Sequence, residues 1–235
     1  VASLAVPECG TKFVRGMLED SRPQTFSDLV RISGFSHGTN VWLDNAQDLI
    51  KNGTCELNEA ISTRDDVMNF LIHRGMDRKH SFFVMENVRK GKGIEKRNKQ
   101  GQATTEFEAE MRENNIPEWF IESCKKISYL FPRAHAVAYV MMAFRIAWFK
   151  VYHPLAFYAA YFSIRAKAFD LRIMTGDLKT QLTEFNRIKA LDRAASPKDK
   201  DLMSALEVSM EMYQRGYRFI NVDIQHSEAR RFSIK

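Results

Sequence analysis

Residues 119–154 read WFIESCKKISYLFPRAHAVAYVMMAFRIAWFKVYHP. The basic pair Lys125-Lys126 and a Phe131-Pro132 break stand before a long apolar run that opens with Arg133, His135 and Tyr139. The run predicts a central apolar helix over 134–152, ended near His153-Pro154. Backbone N–H groups at a helix start favour anions. Cationic, hydrogen-bonding and aromatic side chains gathered there therefore suit a triphosphate or a nucleic-acid backbone. Arg133 and Lys125 are candidates to hold phosphates, Tyr139 to stack under a base, and His135 to bond a phosphate or donate a proton. A partly buried histidine with a tyrosine four residues on gives the same pattern. On spacing alone that packing explanation is the stronger.

Helical signals dominate the rest of the chain. Apolar spacing predicts helices over 11–18, 26–32 (with Gly34 as its stop), 46–51, 64–74, 77–89 and 105–114. Another starts at Pro117, and further helices are expected over 155–166, 177–191 and 197–215. Only 217–222 and 231–234 look strand-like. The expected fold class is mainly α, a multi-helix domain with minor strand content near the C-terminus and a boundary near Lys198. The chain opens on Val1 and closes on RRFSIK, which suggests a piece of a longer polypeptide.

Bulk properties constrain function less. The 235 residues are 45% hydrophobic, enough for a real core; the net charge of +6 raises the odds of a polyanionic partner only modestly. Cys9, Cys55 and Cys124 are widely spaced and form no CxxC pattern. That argues against structural zinc and a disulfide framework, and fits a reducing compartment. No signal peptide is visible. The apolar stretch 134–149 carries His135 and Arg145 and falls short of the roughly 20 residues of a bilayer span, so a buried core helix is expected there.

Further candidates lie upstream. The segment RKGKGIEKRNKQGQA (89–103) should be in part a mobile basic loop. Arg89, Lys90, Lys92, Lys96 and Arg97 could neutralise a phosphodiester backbone, with Gly91 and Gly93 allowing close approach. The GxxxxGK[ST] spacing of a phosphate-cradling loop is missing, and a solvated basic loop has the same composition. SGFSHGTNVW (33–42) offers Ser33 and His37 among small polar groups beside Trp42. Arg64 is a further cation, equally compatible with a surface charge beside Asp65. No metal site is expected. Asp199 and Asp201 open a helix, where acids are common; Glu106, Glu108 and Glu110 point around a helix, and Asp65 and Asp66 diverge.

At this point the motifs align with a known family. PECGTKFVRGML (7–18), LVRISGFSHGTNVWLDNAQDLIKNGT (29–54), RDDVMNFLIHRG (64–75) and ENVRKGKG (86–93) are followed by residues 107–162 and by LEVSMEMYQRGYRF (206–219). In this order the chain resembles the PolC-type DNA polymerase III alpha subunit, the replicative family C polymerase of low-GC Gram-positive bacteria. The resemblance implies a fingers domain over 1–197, with 1–10 as the palm-to-fingers connection, and 198–235 starting the connection to the duplex-binding region. It implies that Arg64 and Lys90 face phosphates, that Arg133 and His135 border the nascent base pair, and that Ser33 and His37 lie near the nucleotide pocket. It also implies two-metal nucleotidyl transfer, with Mg²⁺ held by palm aspartates outside the chain. The implied partners are template-primer DNA, a deoxynucleoside triphosphate, and a sliding clamp and other replisome subunits. The location would be cytoplasmic, with no membrane. The fragment alone should be inactive. Two departures stand out: 94–105 looks longer than its family counterpart, and the family often has Lys where Arg133 stands. The alternatives are a DnaE-type or phage relative and a non-catalytic helical DNA-binding module.

Overall fold

The structure, a computed structural model, describes residues 2–97 and 103–235. Two compact units emerge, one holding Glu8–Ala143 and the other Ser3–Pro7 with Phe144–Lys235.

In the first unit the starts of α1, α2, α4 and α5 are fixed by local polar caps. Thr11 accepts from the Val14 N–H ahead of α1 (Lys12–Ser21), and Thr25 with Asp28 forms a capping box on α2 (Phe26–His37). A non-helical turn over 42–46 precedes α3 (Gln47–Lys51), with Asp44 left-handed at φ 57°. Buried Asn45 bridges this turn to Ser123, whose hydroxyl donates to Asn45 Oδ1 at 2.7 Å. Then come α4 (Arg64–His73), capped by Thr63 and Asp66, and α5 (Arg78–Arg89), capped by Asp77. A two-residue antiparallel pair, β1 (Lys96–Arg97) with β2 (Ala103–Thr104), leads to α6 (Glu106–Glu113) and α7 (Glu118–Lys126). Phe35, Ile61, Val67, Leu71, Val84, Val88, Met111, Phe120, Ile121 and Leu130 share one core.

The helix α8 (Arg133–Tyr152) contributes residues to both units. In the second unit follow α9 (Pro154–Ala160) with a wide turn over 161–165, α10 (Leu171–Met174), α11 (Leu178–Leu191) and α12 (Pro197–Gln214). Phe157, Tyr158, Phe162, Met174, Ile188, Leu206 and Met212 make its core. Lys150 is buried there, donating to Leu4 O at 2.6 Å and pairing with Glu211 at 2.8 Å.

Three expectations need correction. Gly34 does not stop α2, which runs on to His37: a side chain at Gly34 would meet Ser62 O at 2.6 Å, so the glycine serves close packing rather than termination. The expected C-terminal strands over 217–222 and 231–234 are not formed. Instead Phe219 and Phe232 pack edge-on and tilted against Phe162 and Phe169, so rings rather than a ladder hold the segment. Finally, α8 is not a buried core helix: only Ala136, Val140, Ala143 and Lys150 are buried along it. Among the described residues it alone is long and apolar enough to cross a bilayer, yet it carries Arg145 and the ion-paired Lys150.

Candidate functional site

The segment 128–131 is where the sequence motifs meet. It has no continuous regular structure, yet its backbone is paired with three other segments. Ser128 N donates to Thr39 O at 3.0 Å and Thr39 N to Tyr129 O at 3.0 Å; Leu130 N donates to Arg89 O at 3.3 Å, and Arg64 N to Phe131 O at 3.2 Å. The SHGT, RKGKG, RDD and FPRAH stretches, far apart in sequence, are thereby drawn together. Gly91 belongs to this joint. It sits at φ 68°, and a Cβ there would meet Ser128 O at 2.5 Å.

On this frame stands a cluster of rings and charges at the start of α8. The His37 ring stacks on Phe131 with centroids 4.8 Å apart, and lies parallel to Tyr139 at 6.2 Å and 4°. Phe131 also meets Tyr139 at 6.3 Å and, edge-on, His135 at 6.0 Å. His37 is held at both nitrogens: Nδ1 lies 2.9 Å from Ser33 O and 3.0 Å from Ser36 Oγ, and Nε2 lies 2.8 Å from Glu8. Val30, Ala136 and Val140 pack beneath, fixing α2 against α8. Tyr139 and His135 keep exposed faces.

Beside the rings, the Arg133 N–H donates to Asp65 Oδ2 at 2.9 Å, and its guanidinium stands 3.6 Å from Asp66 Oδ1. Arg31 reaches the same oxygen at 3.6 Å and donates to Ala60 O at 2.8 Å. The half-buried Arg64 side chain has no ion-pair partner among the described residues. The Arg31 and Arg133 guanidinium groups thus face a single oxygen of Asp66, Asp65 accepts only the Arg133 backbone N–H, and Arg64 adds a third, unpaired charge, which leaves the arginine side chains in excess of their carboxylate contacts. Exposed ring faces and surplus cations side by side can take an aromatic base and an attached phosphate.

The other anticipated residues are placed differently. Ser33 is buried, its hydroxyl without a hydrogen bond among the described residues, and it serves the cluster through its carbonyl. Lys125 pairs with Glu122 at 2.8 Å and Glu108 at 3.0 Å, and no described contact joins it to Arg133, His135 or Tyr139. Hydrogen bonds to Glu122 and Glu108 push its amine above the usual lysine range. In the basic run, Glu86 takes both nearest cations: Arg89 at 2.7 Å and Lys90 at 2.9 Å. Their hydrogen bonds hold the Glu86 carboxyl at a pKa of about 2. Lys92 is exposed, its backbone N–H donating to Asn87 O at 2.9 Å and its side chain without a partner among the described residues. It lines a cleft of about 280 Å³ with Glu95, Thr104, Glu108 and Lys125. The backbones of Lys96 and Arg97 belong to β1; the remainder of the expected basic loop, residues 98–102, lies outside the described residues.

Sequence reasoning missed Glu8, Arg31 and Asp66. The spacing of Thr63 and Asp66 is a capping-box signal that could have marked Asp66, but nothing local marks Arg31. Asp66 Oδ2 is committed to the start of α4, accepting from the N–H and hydroxyl groups of both Ser62 and Thr63.

Residues 1–115 match the family model described as the bacterial DNA polymerase III alpha subunit finger domain. Over 234 residues the chain is 54% identical to DNA polymerase III PolC-type of Caldanaerobacter subterraneus subsp. tengcongensis, covering 100% of this chain and 16% of that protein. The proteins of the same name from Bacillus subtilis and Thermotoga maritima are 52% and 53% identical, over 99% and 100% of this chain and again 16% of theirs. The chain thus spans about one-sixth of the length of these curated relatives. With half its residues shared along its whole length, this chain belongs to the PolC-type DNA polymerase III family.

Proposed function

We propose that the chain is the fingers portion of a replicative DNA-directed DNA polymerase, binding the incoming deoxynucleoside triphosphate and the template-primer. The observation that carries this reading is the meeting of the family's motifs at residues 128–131, beneath a ring face and a surplus of arginine charge. Arg133 and Arg64 supply charge to the triphosphate, and Tyr139, carried on the His37–Phe131 stack, offers its face to the base. His135 lies at the edge of that surface and donates to a phosphate. Of Arg89, Lys90 and Lys92, the first two are bound to Glu86, and Lys92 is the one available to a phosphodiester. Residues 1–197 act as the fingers, and 198–235 begin the path to the duplex-binding region.

Mg²⁺ held by acids of a palm outside this chain supplies the two-metal chemistry of nucleotidyl transfer. The part played by this chain is to bind, orient and neutralise, so alone it does not polymerise. The setting is cytoplasmic, with a sliding clamp and other replisome subunits as partners of the full-length protein.

The test is a comparison in the full-length polymerase. Arg133→Ala and His135→Ala should weaken nucleotide use with little change in DNA binding. Lys92→Ala should lower DNA affinity and reduce its salt slope by about one. Unchanged nucleotide kinetics in both α8 variants would remove these residues from the site. A protein that binds DNA equally well whether or not nucleotide is present would instead be a non-catalytic clamp.

A further inference from the structure

We infer that Asp66 and Arg31 are positioning residues that hold the Arg133 guanidinium ready for the nucleotide's phosphates; the inference rests on the nucleotide site proposed above. Asp66 divides its two oxygens between two tasks. Oδ2 caps α4, accepting from Ser62 N at 3.1 Å, Ser62 Oγ at 2.7 Å, Thr63 N at 2.8 Å and Thr63 Oγ1 at 3.0 Å. These bonds fix the carboxylate, which is nearly buried. Oδ1 takes no part in the cap and faces Arg31 and Arg133, each at 3.6 Å.

That distance is decisive. It lies beyond hydrogen-bond reach, so Asp66 attracts Arg133 by charge without occupying its donors. Arg31 is the fixed member of the pair, 14% exposed and hydrogen-bonded to Ala60 O; Arg133 is the free one, 41% exposed. A single carboxylate shared by two guanidinium groups cannot neutralise both. Arg31 therefore prevents Asp66 from drawing Arg133 fully inward, and Asp66 prevents Arg133 from turning to bulk water. The result is a guanidinium oriented beforehand with its fork unspent, which cuts the cost of ordering it when a phosphate arrives.

A double-mutant cycle in the full-length polymerase tests this, read as nucleotide Kd in single-turnover primer extension. Asp66→Asn keeps the cap's shape and removes the charge. It should raise nucleotide Kd about tenfold and leave primer-template affinity unchanged, and Arg31→Met should raise it about threefold. In an Arg133→Ala background each change should add less than about twofold, because the group being positioned is gone. Losses that multiply fully in that background would overturn the inference, since a merely structural role predicts them. If Asp66→Asn does not fold, Arg31→Met decides alone, because it leaves the α4 cap untouched. Should Arg133→Ala itself leave nucleotide Kd unchanged, the nucleotide site fails, and the inference falls with it.

Discussion

Replacing Gly91 by alanine puts one methyl group against the joint that gathers the family's motifs. The new Cβ would lie 2.5 Å from Ser128 O and 3.1 Å from both the C and Cα of Ser128. All three atoms are backbone, so no side chain can turn aside. Nor can Ser128 retreat without strain: its N–H donates to Thr39 O, and its hydroxyl accepts from Asn40 at 2.9 Å. A non-glycine residue at φ 68° costs about 1 kcal/mol, and the forced displacement of packed backbone about 1–3 kcal/mol more. Gly93 is the internal control, because it has φ 67° and nothing within 4 Å of an added Cβ. Gly93→Ala should then cost only the first contribution, about 1 kcal/mol. Urea unfolding of both variants separates them, and hydrogen exchange at the Thr39 and Leu130 amides locates the damage in Gly91→Ala. Equal stabilities for the two alanine variants would refute the close approach of the RKGKG turn to residue 128.

Lys150→Met should destabilise the second unit by about 3–5 kcal/mol, because it strands Glu211 opposite a lost partner; adding Glu211→Leu should recover most of that in urea titrations. A loss under about 1 kcal/mol for Lys150→Met would show that the ammonium is not desolvated. Glu86, with its carboxyl held at about 2 against an ordinary 4.5, contributes stability that is fully present above pH 4.5 and disappears as pH falls toward 2. Because Lys90 is half exposed, that contribution should be about 1 kcal/mol rather than the full value of the shift. The gap in unfolding free energy between the wild type and Glu86→Gln should therefore close between pH 5 and pH 2, and a gap that stays constant over that range would contradict the pairing.

Much of the fold could be read from the sequence, because its helices carry their own signals. Thr25, Asp77, Asp177 and Ser196 stand where caps are seen, Pro197 opens a helix as expected, and the break expected at His153-Pro154 is where α8 gives way to α9. Reading failed where tertiary contacts override local preference. Gly34 looked like a stop and is a packing contact with Ser62; Tyr217–Val222 looked like a strand and found rings instead of a partner strand. The same division holds at the site. Arg133, His135 and Tyr139 announce themselves by their place before an apolar helix, and the structure adds His37 to the same ring stack. Lys90 and Lys125 carry equally suggestive charges, but Glu86 and Glu108 neutralise them through contacts that spacing does not reveal on its own. Arg31 was silent because its partners, Ala60 and Asp66, lie 29 and 35 positions away.

The most direct measurement is a structure of the full-length polymerase trapped with primer-template and an incoming deoxynucleoside triphosphate. It should place phosphate oxygens within hydrogen-bond distance of the Arg133 guanidinium and the nascent base pair against the exposed face of Tyr139. A triphosphate bound elsewhere, with Arg133 still turned to Asp66 and solvent over the Tyr139 ring, would contradict the nucleotide site at the start of α8.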